Sequence, residues 1–161
     1  MSKYVTAPPI PEVVEGITER VQHEMERRSY LVSNELRNSA MLVLRGQRSG
    51  RRYKVPGTYK RQRDKVSGKM KNGRYYTASA PGEPPAVRTG AFRMGWQPVT
   101  RVVFGSSVSR IENDVKTDNG QYTLGEILED GTGRMAPRPY QDAILENAKP
   151  TILKIYNQPY F

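Results

Sequence analysis

Few side chains in this sequence are equipped for covalent or acid–base chemistry. Cysteine is absent, which removes thiol nucleophiles, disulfides and every Cys-ligated zinc or iron–sulfur site. The one histidine, His23, rules out multi-His metal sites and would have to carry any Ser-His-Asp arrangement alone. Glu19 and Glu24 lie near it in a stretch of helical periodicity, so His23 reads as part of a solvated helix face. Gly131-Thr132-Gly133-Arg134 is only superficially a phosphate-cradling loop: the Gly-Lys-Ser/Thr ending is missing and no helical pattern starts directly after it. Glu126, Glu129 and Asp130 are acids without an orienting pattern, and polar positions on a half-exposed strand account for them. The sequence points away from an enzyme and calls for no cofactor and no metal.

The chemistry that stands out is electrostatic. The chain has 161 residues, 26 of them Lys or Arg against 16 Asp or Glu, for a formal charge of +10. The excess is local. Between residues 45 and 74 lie Arg45, Arg48, Arg51, Arg52, Lys54, Lys60, Arg61, Arg63, Lys65, Lys69, Lys71 and Arg74, with Asp64 as the lone acid. That stretch carries +11 and the remainder of the chain −1. A block of like charge repels itself and seeks phosphate or an acidic surface. Tyr53, Tyr59, Tyr75 and Tyr76 are interleaved with it, a composition suited to stacking on nucleic acid.

The elements that hold this strip follow from periodicity. Val14, Ile17, Val21, Met25, Val32, Leu36 and Val43 keep close to a 3.6-residue spacing, predicting a long helix over residues 11–44. Pro11 and Glu12 suit its first turn and Gly46 its stop. The pattern weakens over residues 29–39, where a bend or break is expected. Residues 46–90 show no period and read as an extended basic and Pro-rich loop. Within it the Lys71-Asn72-Gly73 turn signal is compatible with a hairpin over residues 65–76. Trp96, Val99, Val102, Val103 and Phe104 mark a strand over residues 95–105, and residues 106–114 a second. Asn119-Gly120 marks a turn, and residues 122–129 form a strand or short helix. Tyr140, Ala143, Ile144 and Ala148 open a last helix that Pro150 should kink or restart. Residues 1–11 and 157–161 read as arms. The whole is a single α+β domain: an antiparallel sheet packed with a long N-terminal and a C-terminal helix. Hydrophobic residues make up only 36%, implying a small core. The chain has no run apolar enough for a membrane span and its N-terminus has no secretory h-region, so an intracellular site of synthesis is expected.

Three stretches taken together resemble a known family. They are Arg48-Ser49-Gly50-Arg51-Arg52-Tyr53-Lys54, then residues 76–90 (YTASAPGEPPAVRTG), then Gly131-Thr132-Gly133-Arg134-Met135-Ala136-Pro137-Arg138-Pro139-Tyr140. In this order they resemble the tail-completion, or head-to-tail joining, proteins of long-tailed bacteriophages, over about residues 31–155. The chain departs from that pattern at Asp130, where an aromatic residue often stands, and at Ala91-Phe92, where Arg-Leu or similar is usual.

The resemblance implies a structural virion protein with no catalytic site, made in the host bacterial cytoplasm and built into the neck. Its partners would be further copies of itself in a ring, usually sixfold; the connector, adaptor or head-closure protein; and the tail tube or tail terminator. Ala80, Pro81, Gly82, Glu83, Pro84, Pro85, Arg88, Thr89 and Gly90 are expected at subunit or ring contacts. Gly131, Thr132, Met135, Pro137, Arg138 and Pro139 are expected there as well. The twelve cations of residues 45–74 are expected to face the DNA passage or an acidic neighbouring ring. Six copies would gather about 66 positive charges, a repulsion that demands anions. The competing class is a stand-alone basic nucleic-acid-binding protein that forms no ring.

Overall fold

The computed structural model describes residues 9–55, 62–63, 66–68, 70–71, 73–103 and 105–160. The fold is α+β. Helix α1 (Ile10–Val43) is followed by four short strands, β1 (Arg52–Lys54), β2 (Gln62–Arg63), β3 (Met70–Lys71) and β4 (Tyr75–Thr77). A single-turn helix α2 (Ala91–Met94) leads into the hairpin β5 (Gln97–Val103) and β6 (Ser106–Glu112). The chain ends with α3 (Leu124–Asp130) and α4 (Gln141–Tyr156). All strand pairs are antiparallel: β1 with β4, β2 with β3, β5 with β6.

Helix α1 has 34 residues and so runs about 50 Å. Its first turn holds Pro11 and Glu12, whose missing N–H and carboxylate both suit that place. Its C-terminal half packs on the β5–β6 hairpin and on α4. It does not break over residues 29–39, contrary to the expectation from periodicity. Ser29, Ser33 and Ser39 are buried there, and the small size of Ser29 and Ser33 lets the helix approach the strands closely. The Ser33 hydroxyl shares a 2.9 Å hydrogen bond with that of Thr100, and Ser109 Oγ donates to the Ser29 carbonyl at 2.9 Å. A hydrophobicity count misses this contact because its residues are polar on both sides.

Two apolar clusters form the core. Ala40, Leu44, Trp96, Tyr140 and Ile144 make one, and Val32, Leu36, Ala148 and Ile155 the other, with Ile111 packed against both. Phe92, Trp96 and Tyr140 meet edge to face, with centroids 5.5–5.9 Å apart, a geometry that adds about 0.5–1.5 kcal/mol per pair beyond area burial. Burial and the nearby Glu129 carboxylate push the Tyr140 phenol up to about 12. Helix α4 runs on through Pro150 as one element, which corrects the expected restart. Pro150 and Glu146 are both exposed, so the Glu146 carbonyl freed by the missing N–H faces water.

The C-terminal arm is also corrected: it is tied down. Arg28 sits in the buried stripe of α1 at 1% exposure. Its Nε donates to Glu24 at 2.8 Å, and its terminal nitrogens donate to the carbonyls of Tyr156 (3.2 Å), Gln158 (2.8 Å) and Pro159 (2.8 Å). The guanidinium also lies 4.0 Å from the Tyr160 ring centroid. Arg27 and Arg28 together hold the Glu24 carboxyl down at about 2. At the N-terminus, Pro9 caps α1, Ile10 and Pro11 already belong to it, and residues 1–8 of the expected arm lie outside the described residues. Among the described residues no helix is long and apolar enough to cross a membrane.

Candidate functional site

The basic segment is paired rather than a plain loop. β1 and β4 align Arg52 with Thr77, Tyr53 with Tyr76 and Lys54 with Tyr75. The ladder extends through Gly50 N–H to the Ala78 carbonyl (2.9 Å) and Val55 N–H to the Arg74 carbonyl (2.8 Å). Gly50 is required by proximity, since a Cβ there would lie 2.5 Å from the Ala78 carbonyl oxygen. Asn72, on which the expected reversal turns, lies outside the described residues. β2 pairs with β3, Gln62 with Lys71 and Arg63 with Met70, and Gly68 between them has φ +63°. Gly73 lies between β3 and β4.

Alternation along the ribbon separates two faces. Tyr53 and Tyr76 stack on one, centroids 5.9 Å apart, with the Arg51 guanidinium 5.8 Å from the Tyr53 ring. On the other, the Arg52 guanidinium lies 4.6 Å and the Lys54 ammonium 5.7 Å from the Tyr75 ring. Among the described residues neither Arg51 nor Arg52 has a carboxylate partner. Their charge is spread over tyrosine faces, worth about 0.5–1 kcal/mol each at exposed sites, and stays open to an anion.

The other candidate cations divide. Arg45 and Arg74 are exposed. Arg63 and Lys71 belong to β2 and β3, and Lys60, Arg61, Lys65 and Lys69 lie outside the described residues. Arg48 turns inward: it donates to the Val43 carbonyl at 2.8 Å, closing the C-terminus of α1, and to the Pro85 carbonyl at 3.2 Å. Desolvation lowers its pKa.

The Pro-rich stretch folds onto the same corner. Glu83 accepts from Ser49 Oγ (2.6 Å), Ser49 N–H (3.1 Å) and Ala80 N–H (2.9 Å), and these donors hold its carboxyl down at about 2. Ser79 Oγ donates to the Pro84 carbonyl, and Pro85 is buried. Gly82 N–H reaches the Pro137 carbonyl at 3.2 Å, joining residues 80–90 to residues 131–139 within one chain. Thr132 and Met135 exchange backbone hydrogen bonds, making a closed turn with no open cradle for phosphate. Gly131, with φ +76°, lies where a Cβ would be 2.6 Å from the Met135 carbonyl oxygen. Pro81, Arg88, Thr89, Pro137 and Pro139 remain exposed, whereas Ala80, Pro84, Gly90 and Arg138 are half-buried.

Between ribbon and body lies a groove of about 850 Å³. Leu44, Pro85, Val87, Phe92, Leu128 and Met135 supply apolar lining, Tyr53 and Tyr76 one end. Arg51, Arg88, Arg93, Lys116 and Arg138 also line it, against Asp118 as the one acid among the described residues. Arg93 Nε is buried with no hydrogen-bond partner among the described residues. Sequence reasoning did not bring Arg93 and Lys116 to this site. Their only prior signal was a positive charge, and their approach to Arg51 depends on packing between distant segments.

Among the described residues no three His, Asp or Glu gather to hold a metal ion, and His23 is exposed on α1. Comparison with protein-family models, with curated proteins and with solved structures finds no match.

Proposed function

We propose that this chain is a non-enzymatic structural protein of a phage virion. It forms a ring in the neck between the DNA-filled head and the tail, with its basic strip against the DNA passage or an acidic neighbouring ring. The observation that carries the reading is the β1–β4 ribbon, whose Arg51 and Arg52 rest on tyrosine rings without a carboxylate partner among the described residues. A cation arranged in this way binds anions without regard to base sequence, because phosphate carries the charge and every base offers a ring face. The exposed Pro81, Arg88, Thr89, Pro137 and Pro139 add a stiff surface that loses little entropy on docking. The resemblance of the three motif stretches to tail-completion proteins supplies the neck as the location.

The test is the protein content of purified virions. Mass spectrometry should find about six copies per particle, the number a closed ring of that symmetry holds. DNA contact is tested by reversing Arg51, Arg52, Arg61 and Arg63 to Glu. Wild-type binding should fall steeply with salt and the variant should not bind. A monomer that binds RNA tightly and never enters virions would replace this reading with a stand-alone nucleic-acid-binding protein.

A further inference from the structure

We infer that the groove beside the ribbon docks a short, extended, acidic segment of a partner protein, built round one apolar side chain. This rests on the reading that the basic strip meets an anionic partner, and it names the chemistry of that partner for one face of the strip.

The groove has two walls of unlike origin. Strand alternation puts Arg51, Tyr53, Tyr76 and Ala78 on one face of the β1–β4 ribbon, and this set forms the first wall. Arg52, Lys54 and Tyr75 belong to the opposite face. The second wall comes from the body, with Arg88, Lys116 and Arg138 drawn from three separate segments. Arg51, Arg88 and Lys116 are exposed, whereas Val87, Leu124, Leu128 and Met135 are half-buried between the walls. Cations therefore stand at both sides of an aliphatic floor.

Charge sets the class of occupant. The five lining cations have no carboxylate partner among the described residues, and Asp118 leaves a net +4 around one cavity. Arg93 Nε is buried without an acceptor, so that guanidinium too is uncompensated by its own chain. Such a site repels itself when empty and favours several carboxylates.

The lining favours protein over nucleic acid. A base needs an open ring face. Here the Tyr53 ring already has Tyr76 and Arg51 against it, and Phe92 packs edge to face with Trp96 and Tyr140. The aliphatic floor instead suits a Leu or Val side chain. An extended chain with three residues per turn fits both features, because its successive side chains point about 120° apart. With one apolar side chain on the floor, the two that follow it face the two walls and their carboxylates meet the cations.

The test uses the full chain and fluorescein-labelled Glu-Asp-Leu-Glu-Asp, read by fluorescence anisotropy. Binding should saturate below about 1 mM. The peptide with Ser for Leu should bind about tenfold more weakly or worse, and the one with Lys for every acid should not bind. Arg88→Glu combined with Lys116→Glu, both at exposed positions, should weaken binding about tenfold or more at unchanged thermal unfolding. Arg20→Glu, on the exposed N-terminal half of α1, should leave it unchanged. Failure of the acidic peptide to bind, or equal binding of the Ser peptide, would overturn the inference. So would displacement of the peptide by an oligothymidylate of equal charge, which would give the groove to nucleic acid. DNA binding and virion content read the earlier proposal separately: a virion protein that ignores this peptide fails here alone, and a chain that holds it but is absent from virions fails only the location.

Discussion

Replacing Arg28 by Ala should detach the C-terminal tail and cost a large part of the chain's stability. Arg28 makes one hydrogen bond to a carboxylate and three to backbone carbonyls at 2.8–3.2 Å, and stacks on Tyr160. Hydrogen bonds from a charged donor contribute about 1.5–3 kcal/mol each, but they act as one unit and do not add. Once the tail lifts, its carbonyls regain water and Glu24 keeps Arg27, so the loss is that of one cooperative charged hydrogen-bond unit and its packing, about 1.5–3 kcal/mol. For a chain of this length that lowers the melting temperature by roughly 3–12 °C. Circular dichroism melts measure it, and carboxypeptidase digestion tests the cause, since residues 157–160 should be released much faster from the variant. Arg28→Lys should recover less than half of the loss, because one ammonium cannot reproduce the planar fork that reaches Glu24 and three carbonyls together. A variant within about 1 kcal/mol of the parent, or a tail digested at the parental rate, would refute the reasoning.

Three further outcomes follow from the same geometry. Glu24 and Glu83 are both held at about 2, below the ordinary 4.5, so the unfolded chain binds more protons in that interval. Their contribution is complete above pH 4.5 and is lost as pH falls toward 2; Glu83→Gln should flatten that loss in acid titrations followed by fluorescence of Trp96. At the alkaline end Tyr140 titrates near 12 against an ordinary 10, so stability should decline across that window and the decline should vanish in Tyr140→Phe. Ser39 is fully buried and its hydroxyl has no partner among the described residues, so Ser39→Ala should raise stability by about 0.5–2 kcal/mol in denaturant titrations.

Periodicity was sufficient for the elements that bury an apolar face. Val32, Leu36 and Val43 marked the packed half of α1, and Val99 and Val102 marked β5. The continuity of α1 through residues 29–39 was hidden because serines face the hairpin there, and a close helix–strand approach needs small side chains whatever their polarity. Arg28 was hidden for the related reason that a charged residue at core spacing reads as a flaw until its acceptors, about 130 positions away, are in place. The β1–β4 register rests on the pairing of Tyr53 with Tyr76 and the tight contact at Gly50, neither of which leaves a periodic signal. The groove lay beyond sequence reasoning in principle: its cations come from residues 51, 88, 93, 116 and 138, brought together only by tertiary packing. Glu83 carries no sequence signal for its partners: its three hydrogen bonds to Ser49 and Ala80, which fasten the Pro-rich loop to its own chain, depend on the fold.

Averaged images of the intact virion, at a detail that traces side chains, decide whether this chain sits in the neck. A closed ring of it between head and tail is expected, with residues 45–74 of every copy against DNA or an acidic neighbour. A virion without the chain, or a ring whose basic strip faces open solvent on its outer rim, would contradict it.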